Sequence, residues 1–487
     1  MFVLQQIGNI DNIYDLMALC SSFIFCELDK KSYEFARFKD DDYDNVYDAI
    51  DRYRCERHHK GSKSAFDELR NYLISFLKPE TTVEKCFAVV KYIDELVEAE
   101  INGRLLGGKQ IIEYSSMNEQ YKNKVRIIPK MRGTFLERGE EQFKNINNSK
   151  YSLFRGRREC ACSLLDREII NYMIWDEQHI DDYPTFIYRF DKKSSIVKHF
   201  YERNQIVFGI VPFTDKPGNE ILNVQYEHRA FYIQNMYEDA ERELRERYKN
   251  VCSRCEQEDI DFLIFPEMLM TEYIISAVQN SGKILSPKII VNGSIWKDYV
   301  NKSVITDGNG TEIFHYCKKQ PYEFEKDGEK YREFLDQEKN KAYTILEIEG
   351  FGRVGIGICR DLINETVKLF HRYIGTDLLI VPAYTASMDL QGSAEDLSKE
   401  YNCIVVAANA CSALGGEREG DEADRIGFIT LPAKNGNDRS CVLRRYTRES
   451  CAQECVRRCV GKKFIINFFQ TKEYPEGVSY EIEEDIF

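Results

Sequence analysis

The sequence opens without an export signal. "MFVLQQIGNIDNIYDLMALCSSFIFCELDKK" has no basic n-region, and its apolar part, Leu16 to Leu28, is too short and too interrupted to span a bilayer. No longer apolar run follows, so no membrane segment and no secretion are expected, and the expected compartment is the cytoplasm. Without a secretory route, a sequon such as Asn301-Lys302-Ser303 carries no information. Positive charge is not in excess either: a formal net charge of −14 argues against a general affinity for nucleic acid or anionic membrane. The sixteen cysteines do not form the dense framework of a small secreted domain, and scattered over 487 residues they read as reduced thiols. No internal repeat of useful period is present. The one G-x-G-x-x-G match, "GFGRVG" (350–355), precedes a strand instead of opening a helix, so a dinucleotide site fails its own context test. Cys451, Cys455 and Cys459 recur every four residues, and "CSRC" spans 252–255, but neither has the spacing of a zinc knuckle. They read as packing faces, and no metal is expected.

What is present is a long, polar, globular chain, with 43% hydrophobic and 30% charged residues, and its length predicts two domains. Up to about residue 200 the pattern is mostly helical. "SAFDELRNYLISFL" (64–77) and "TVEKCFAVVKYIDELVEAEI" (82–101) place apolar residues at three- and four-residue intervals, while 102–160 is turn-rich and locally basic. The character changes near residue 205. "QIVFGIVPF" reads as a strand, 227–260 as one long helix, and then strand-like runs follow: "DFLIFPE", "PKIIVNGSIW", "AYTILEIEG", "RVGIGIC", "DLLIVPA" and "CIVVAANA". Helical stretches at 364–374 and 391–401 interrupt them, and "TDGNGTE" marks a tight hairpin. The pattern predicts an α/β sheet covered by helices. It divides the chain into a helical domain over 1–200, separable from an α/β domain over 203–472, and an acidic tail over 473–487.

Three strands of the second domain end on residues able to do chemistry. "DFLIFPE" delivers Glu267, "EIFHYCK" delivers Lys318 and "RVGIGIC" delivers Cys359. A carboxylate can take the thiol proton, the thiolate can attack an electrophilic carbon, and an ammonium can stabilise the resulting oxyanion. The backbone N–H of Arg360, just past the thiol, is a candidate second oxyanion donor.

In that order, "LIFPEML", "HYCKKQPYEFE" and "GIGICRDLINE" resemble the Glu, Lys and Cys motifs of the nitrilase superfamily, the carbon–nitrogen hydrolases, over roughly residues 203–470. The resemblance implies a nitrilase-like four-layer αββα sandwich, usually paired into a homo-oligomer through a helical face. It also implies a small-molecule substrate, a thioester intermediate on Cys359, and neither metal nor organic cofactor. Of the adjacent lysines, the family's Tyr-x-Lys spacing gives the role to Lys318, with Tyr316 on the same strand face. A second glutamate that orients the lysine is common in the family, and Glu325 fits best with Glu323 as the rival. Gln320 and Arg360 depart from the usual residues, and Arg360 either receives an anionic substrate group or pairs with Asp361 or Glu365. The activity implied is hydrolysis of a non-peptide C–N bond, amide or carbamoyl before nitrile. The rival is a catalytically silent domain that binds a ligand within a larger bacterial system, such as reverse-transcriptase-associated defence. For a polymerase itself, "KDDDYDN" (39–45) is an acidic loop without the strand context of a metal-binding pair.

Overall fold

The computed structural model describes residues 3, 7–28, 43–96, 104–114, 125–129, 169–190 and 194–487, less the segments 177–182, 280–286, 386–389, 415–424, 448–460 and 468–480 and scattered single or paired positions. Two large sheets dominate it. A nine-stranded sheet is centred on Tyr343–Ile348, Gly352–Ile356, Leu378–Ala383 and Ile404–Asn409, and an eight-stranded sheet on Gln205–Ile210, Phe262–Ile264, Ile289–Val291 and Val300–Asp307.

The strands Phe262–Ile264, Ile289–Val291 and Leu378–Ala383 are apolar along their whole length, because both faces are covered. Alternation then sorts the side chains between two cores. From the eight-stranded sheet, Phe208, Ile264 and Val291 face Leu346, Ile356 and Ile380 of the nine-stranded sheet in the central core. Their neighbours Val207, Leu263 and Ile290 point the other way, onto Leu244, Tyr248 and Ile274 of the helices Glu238–Cys255 and Glu272–Gln279. On the far side of the nine-stranded sheet, Tyr343 and Ile345 meet Val367 and Phe370 of the helix Glu365–Tyr373. The helix Leu390–Tyr401 also packs on this sheet through Leu390, Ala394 and Leu397. The order is helix, sheet, sheet, helix: the four-layer α/β sandwich that the sequence led us to expect, with helices at the N-terminal end.

The expected division near residue 200 does not coincide with a break in the fold. Thr185–Phe190 pairs in parallel with Tyr343–Ile348, and Lys109–Tyr114 and Arg104–Leu106 extend the same sheet outward. Helices Ile13–Leu28, Asp44–Lys60, Ser62–Leu77 and Val83–Leu96 share one hydrophobic core with Ile187, Tyr343 and Phe370. Buried Glu347 is held between two arginines, Arg353 at 2.8 Å and Arg189 at 2.8 Å, the latter from the N-terminal side of that boundary.

Two further expectations are corrected. Residues 227–260 are not one helix: Leu222–Glu227 and Ala230–Met236 form a hairpin before the helix begins at Glu238. The hairpin turn sits at His228 and Arg229, both with positive φ (48° and 65°), and the alternation in "AFYIQNM" is the strand signal that the neighbouring helical periodicity masked. The acidic end is not a tail, since Glu481–Ile486 adds a strand to the eight-stranded sheet beside Lys462–Asn467. The Cys451/Cys455/Cys459 face lies outside the described residues, as does most of 39–45. Among the described residues no helix is long and apolar enough to cross a membrane.

Candidate active site

Glu267, Lys318 and Cys359 come together at one end of the sandwich. Each leaves a strand or hairpin arm at that end, and each is buried. Glu267 follows the strand Phe262–Ile264 through Phe265-Pro266. The opposing segment must come unusually close there: a Cβ on Gly293 (φ +56°) would sit 1.9 Å from the Pro266 carbonyl oxygen, so only glycine fits. Lys318 follows the hairpin arm Glu312–Cys317, and its backbone N–H donates to the Asn301 carbonyl at 2.9 Å.

Cys359 itself opens a 3₁₀ turn, Cys359–Ile363, with a left-handed φ of 49°. A non-glycine residue held in that region costs free energy that the surroundings must over-determine. Here Asp361 does so. Its carboxylate accepts from the Ile358 N–H at 3.0 Å, and its other oxygen accepts from the N–H groups of Lys319 (2.9 Å) and Gln320 (2.7 Å). One buried carboxylate therefore ties the turn carrying the thiol to the segment carrying the lysine.

The polar contacts converge on Lys318. Its ammonium donates to Glu267 Oε1 at 2.7 Å and to Glu333 Oε2 at 2.7 Å. Asn301 Nδ2 joins the same two carboxylates, at 2.8 Å and 3.1 Å. Glu333 also accepts from the Tyr322 N–H at 3.0 Å and from the Trp296 indole at 3.3 Å. Glu267 Oε2 accepts from the Tyr384 N–H at 3.1 Å, and the Cys359 thiol lies close enough for the Glu267 charge and that amide to act on it.

The electrostatics of this cluster oppose each other. Burial and the Glu267 charge push the Cys359 thiol well above the ordinary range, against the pull of Lys318 and the Tyr384 N–H. Burial would lower Lys318, but Glu267 and Glu333 outweigh it and hold the ammonium firmly protonated. Burial raises Glu267, Lys318 draws it back, and Glu333 adds to the rise. The resting state is therefore a neutral thiol beside a carboxylate of raised proton affinity and a fixed cation.

Two expectations about supporting residues are corrected. Glu325 and Glu323 are exposed on the strand Glu323–Lys326, with Glu323 paired to Arg332, and the carboxylate on Lys318 is that of Glu333. Counting along the chain failed because Glu323–Lys326 and Glu329–Glu333 form a hairpin that folds the second arm back, so that the Glu333 N–H meets the Tyr322 carbonyl at 2.8 Å. The Asp-Gly at 327–328 was the available signal. Tyr316 is buried in the central core, with its ring 5.3 Å from the ammonium of Lys319. Lys319 Nζ donates to the Ala342 carbonyl at 2.6 Å, which separates the two adjacent lysines cleanly. Arg360 lies with its guanidinium 5.7 Å from the Tyr322 ring, while its two proposed partners are engaged elsewhere, Glu365 with Lys368 at 2.5 Å and Asp361 with three backbone N–H groups. Gln320 accepts from Asn364 at 2.6 Å. Asn301, Asp361 and Tyr384 were not foreseen in these positions, since nothing local in the sequence marks a residue whose partners are distant.

The half of the molecule that carries the three converging strand ends has the helix–sheet–sheet–helix layers that the sequence resemblance implies. No family model and no curated protein matches the chain. Among solved structures, Nit3 of Saccharomyces cerevisiae, a member of branch 10 of the nitrilase superfamily, is similar over 54% of this chain and 97% of its own, with 14% identity and a TM-score of 0.32. The C. elegans NitFhit protein is similar over 52% and 65%, with 16% identity and a TM-score of 0.31. An amidase from Nesterenkonia sp. is similar over 50% and 92%, with 13% identity and a TM-score of 0.31.

Proposed function

We propose that this chain is a thiol-dependent hydrolase of the nitrilase superfamily, acting on a non-peptide C–N bond in a small molecule, an amide or carbamoyl group before a nitrile. The observation that carries the reading is the buried cluster in which Glu267 is hydrogen-bonded to the ammonium of Lys318, Glu333 holds the same ammonium, and the charges of Glu267 and Lys318 act on the thiol of buried Cys359. A structural ion pair has no use for a buried thiol held at a strained turn beside it.

Because the resting thiol is neutral, attack needs a base. Glu267 takes the Sγ proton as the S–C bond forms, and the carbonyl π pair moves onto oxygen. Two of the three ammonium N–H donors of Lys318 are engaged by Glu267 and Glu333. The third is available to the oxyanion, in a site where burial strengthens the interaction. Collapse breaks the C–N bond, the amine leaves with the proton held by Glu267, and a thioester remains on Cys359. Water then attacks the thioester, giving its proton to Glu267. The second collapse expels the sulfur, which regains that proton, and releases the acid. Proton and electron counts close over the cycle with the chain's own residues.

The test is intact-protein and peptide mass spectrometry after brief incubation with a library of primary amides and rapid acid quench. The expected result is an acyl adduct on Cys359 that is absent in Cys359→Ala. A folded Cys359→Ala protein that retains full activity overturns the hydrolase reading and favours a ligand-binding domain.

A further inference from the structure

A cavity of about 420 Å³ adjoins the site, with Glu267, Tyr322 and Tyr384 in its lining. Its far wall is one face of a four-stranded sheet, formed by the hairpin Leu222–Glu227/Ala230–Met236 and the hairpin Glu323–Lys326/Glu329–Glu333. Alternation decides what that face presents. Leu222, Val224 and Tyr226 come from the first strand, Phe231 and Ile233 from the second, and Phe324 from the third. The rings form a continuous aromatic surface, with centroids 5.2 Å apart for Phe231 and Phe324, 5.9 Å for Tyr322 and Phe324, and 6.4 Å for Phe231 and Tyr322.

Two polar side chains of this lining are engaged or set at its edge. Asn223 already exchanges hydrogen bonds with Gln234, Asn235 and Gln225. Lys326 lies at the exposed rim, its ammonium 4.6 Å from the Tyr226 ring centroid. The volume falls within the range of about 300–1,000 Å³ typical of small-molecule sites, far more than a two-carbon amide needs. A small polar substrate would leave apolar wall in contact with water. An aryl or aryl-alkyl group would cover it and stack on its rings.

We propose that the substrate is an amide whose acyl part carries an aromatic or aryl-alkyl group, seated on this aromatic face with its carbonyl at Cys359. The inference rests on the hydrolase reading for the chemistry, but the class of ligand is set by the wall. The four-stranded sheet therefore has two duties. One face selects the acyl group, and the end of its Glu329–Glu333 strand supplies the carboxylate on Lys318.

The test uses full-length protein and two probes, acetamide and 3-phenylpropionamide. Calorimetric titration of Cys359→Ala measures binding without turnover, and ammonia release by the unmodified protein measures hydrolysis. The aryl amide is expected to bind Cys359→Ala, and to be hydrolysed with a kcat/KM about 10²-fold or more above that of acetamide. Val224→Trp fills the cavity from a half-buried position, and is expected to weaken aryl-amide binding at least about tenfold while the melting temperature holds. Binding of the aryl amide no tighter than acetamide overturns the proposal, as does undiminished binding in folded Val224→Trp. The titration decides the question even if that variant does not fold. Tight aryl-amide binding with no ammonia released overturns the hydrolase reading and leaves the ligand class standing. Acetamide hydrolysed as efficiently as the aryl amide does the reverse.

Discussion

Glu333 and Lys318, fifteen residues apart in sequence, meet through a 2.7 Å charge-assisted hydrogen bond between two fully buried side chains. Glu333→Gln keeps the shape and removes the charge. It is expected to lower kcat by about 10–10²-fold and to lower the melting temperature, because the buried ammonium loses one of its two carboxylate partners and keeps only Glu267. Glu325→Gln and Glu323→Gln, at exposed positions, are expected to change stability by no more than about 0.5 kcal/mol. Steady-state kinetics with thermal melts on the three variants checks this, and equal effects at all three would reject the assignment.

Lys318→Met removes the cation between two buried carboxylates. Turnover is expected to fall by about 10²–10³-fold while ligand affinity stays within a few fold, the pattern of a lost oxyanion donor. Stability should fall as well. In the variant the Glu267 carboxyl loses the partner that draws its proton affinity down, so its folded pKa rises further above the unfolded value. A raised carboxyl favours the folded state at low pH, so the stability deficit should shrink as pH falls through the acid range. Melts from neutral pH to about pH 5 measure it; a deficit independent of pH would refute the charge argument.

Glu267 should separate thiol ionisation from catalysis. Its charge is among the forces that hold the Cys359 thiol up, so Glu267→Gln is expected to lower the thiol pKa and speed alkylation of Cys359 at pH 8 while abolishing turnover. In the unmodified protein, burial and that same charge make Cys359 slow to react with iodoacetamide below the ordinary thiol range. Peptide mapping of alkylation rate against pH gives the result directly. Slower labelling in the variant would mean that Glu267 does not oppose the thiolate.

A chain beginning at Ser195 is expected to be poorly soluble, contrary to the separable halves that composition suggests. It would lack Thr185–Phe190, leaving Tyr343–Ile348 as an open apolar edge, and it would lose Arg189 from Glu347. Light scattering and melting of the truncated chain beside the full one provide the measurement. A monodisperse fragment with an unchanged melting temperature would show that the shared sheet is dispensable.

His371 is buried behind Gly355, accepts or donates one hydrogen bond with Thr376 at 3.0 Å, and has its pKa pushed down to about 3 by burial. Its protonated form is disfavoured in the folded state, so its contribution is intact above the ordinary value of 6.5 and is lost as pH falls from there toward 3. The slope is up to about 1.4 kcal/mol per pH unit. Denaturant titrations of the unmodified protein and His371→Asn between pH 7 and 4 should converge as pH falls. Parallel curves would exclude His371 as a source of acid sensitivity.

The central strands and the three reactive strand ends were legible because each is a local pattern: an apolar run bounded by a turn, finished by an unusual residue. What was not legible is non-local. The role of Glu333 depends on a hairpin that doubles back, and those of Asn301 and Asp361 on hydrogen bonds that span 34 and 42 residues. The aromatic pocket wall was hidden because a strand hairpin abuts a strongly periodic helix, and the longer pattern absorbed the shorter. The limits of the α/β unit were misplaced for a related reason. The strand that crosses the boundary, "TFIYRF", is six residues long and stands alone among polar sequence.

That same strand bears on how the chain folds as it is made. Arg189 and Glu347, adjacent in the sheet, are 158 residues apart along the chain. At about 5–20 residues per second, a ribosome needs roughly 8–30 s to deliver the second after the first. During that interval Thr185–Phe190 has no parallel partner and the N-terminal helices lack the surface of Tyr343 and Phe370 that completes their core. Pairing at such separation is also intrinsically slow, since loop closure precedes any reward from contact. The nascent chain therefore passes through a stage with an open edge and an unfinished core, during which chaperone binding is expected to govern the yield of folded protein.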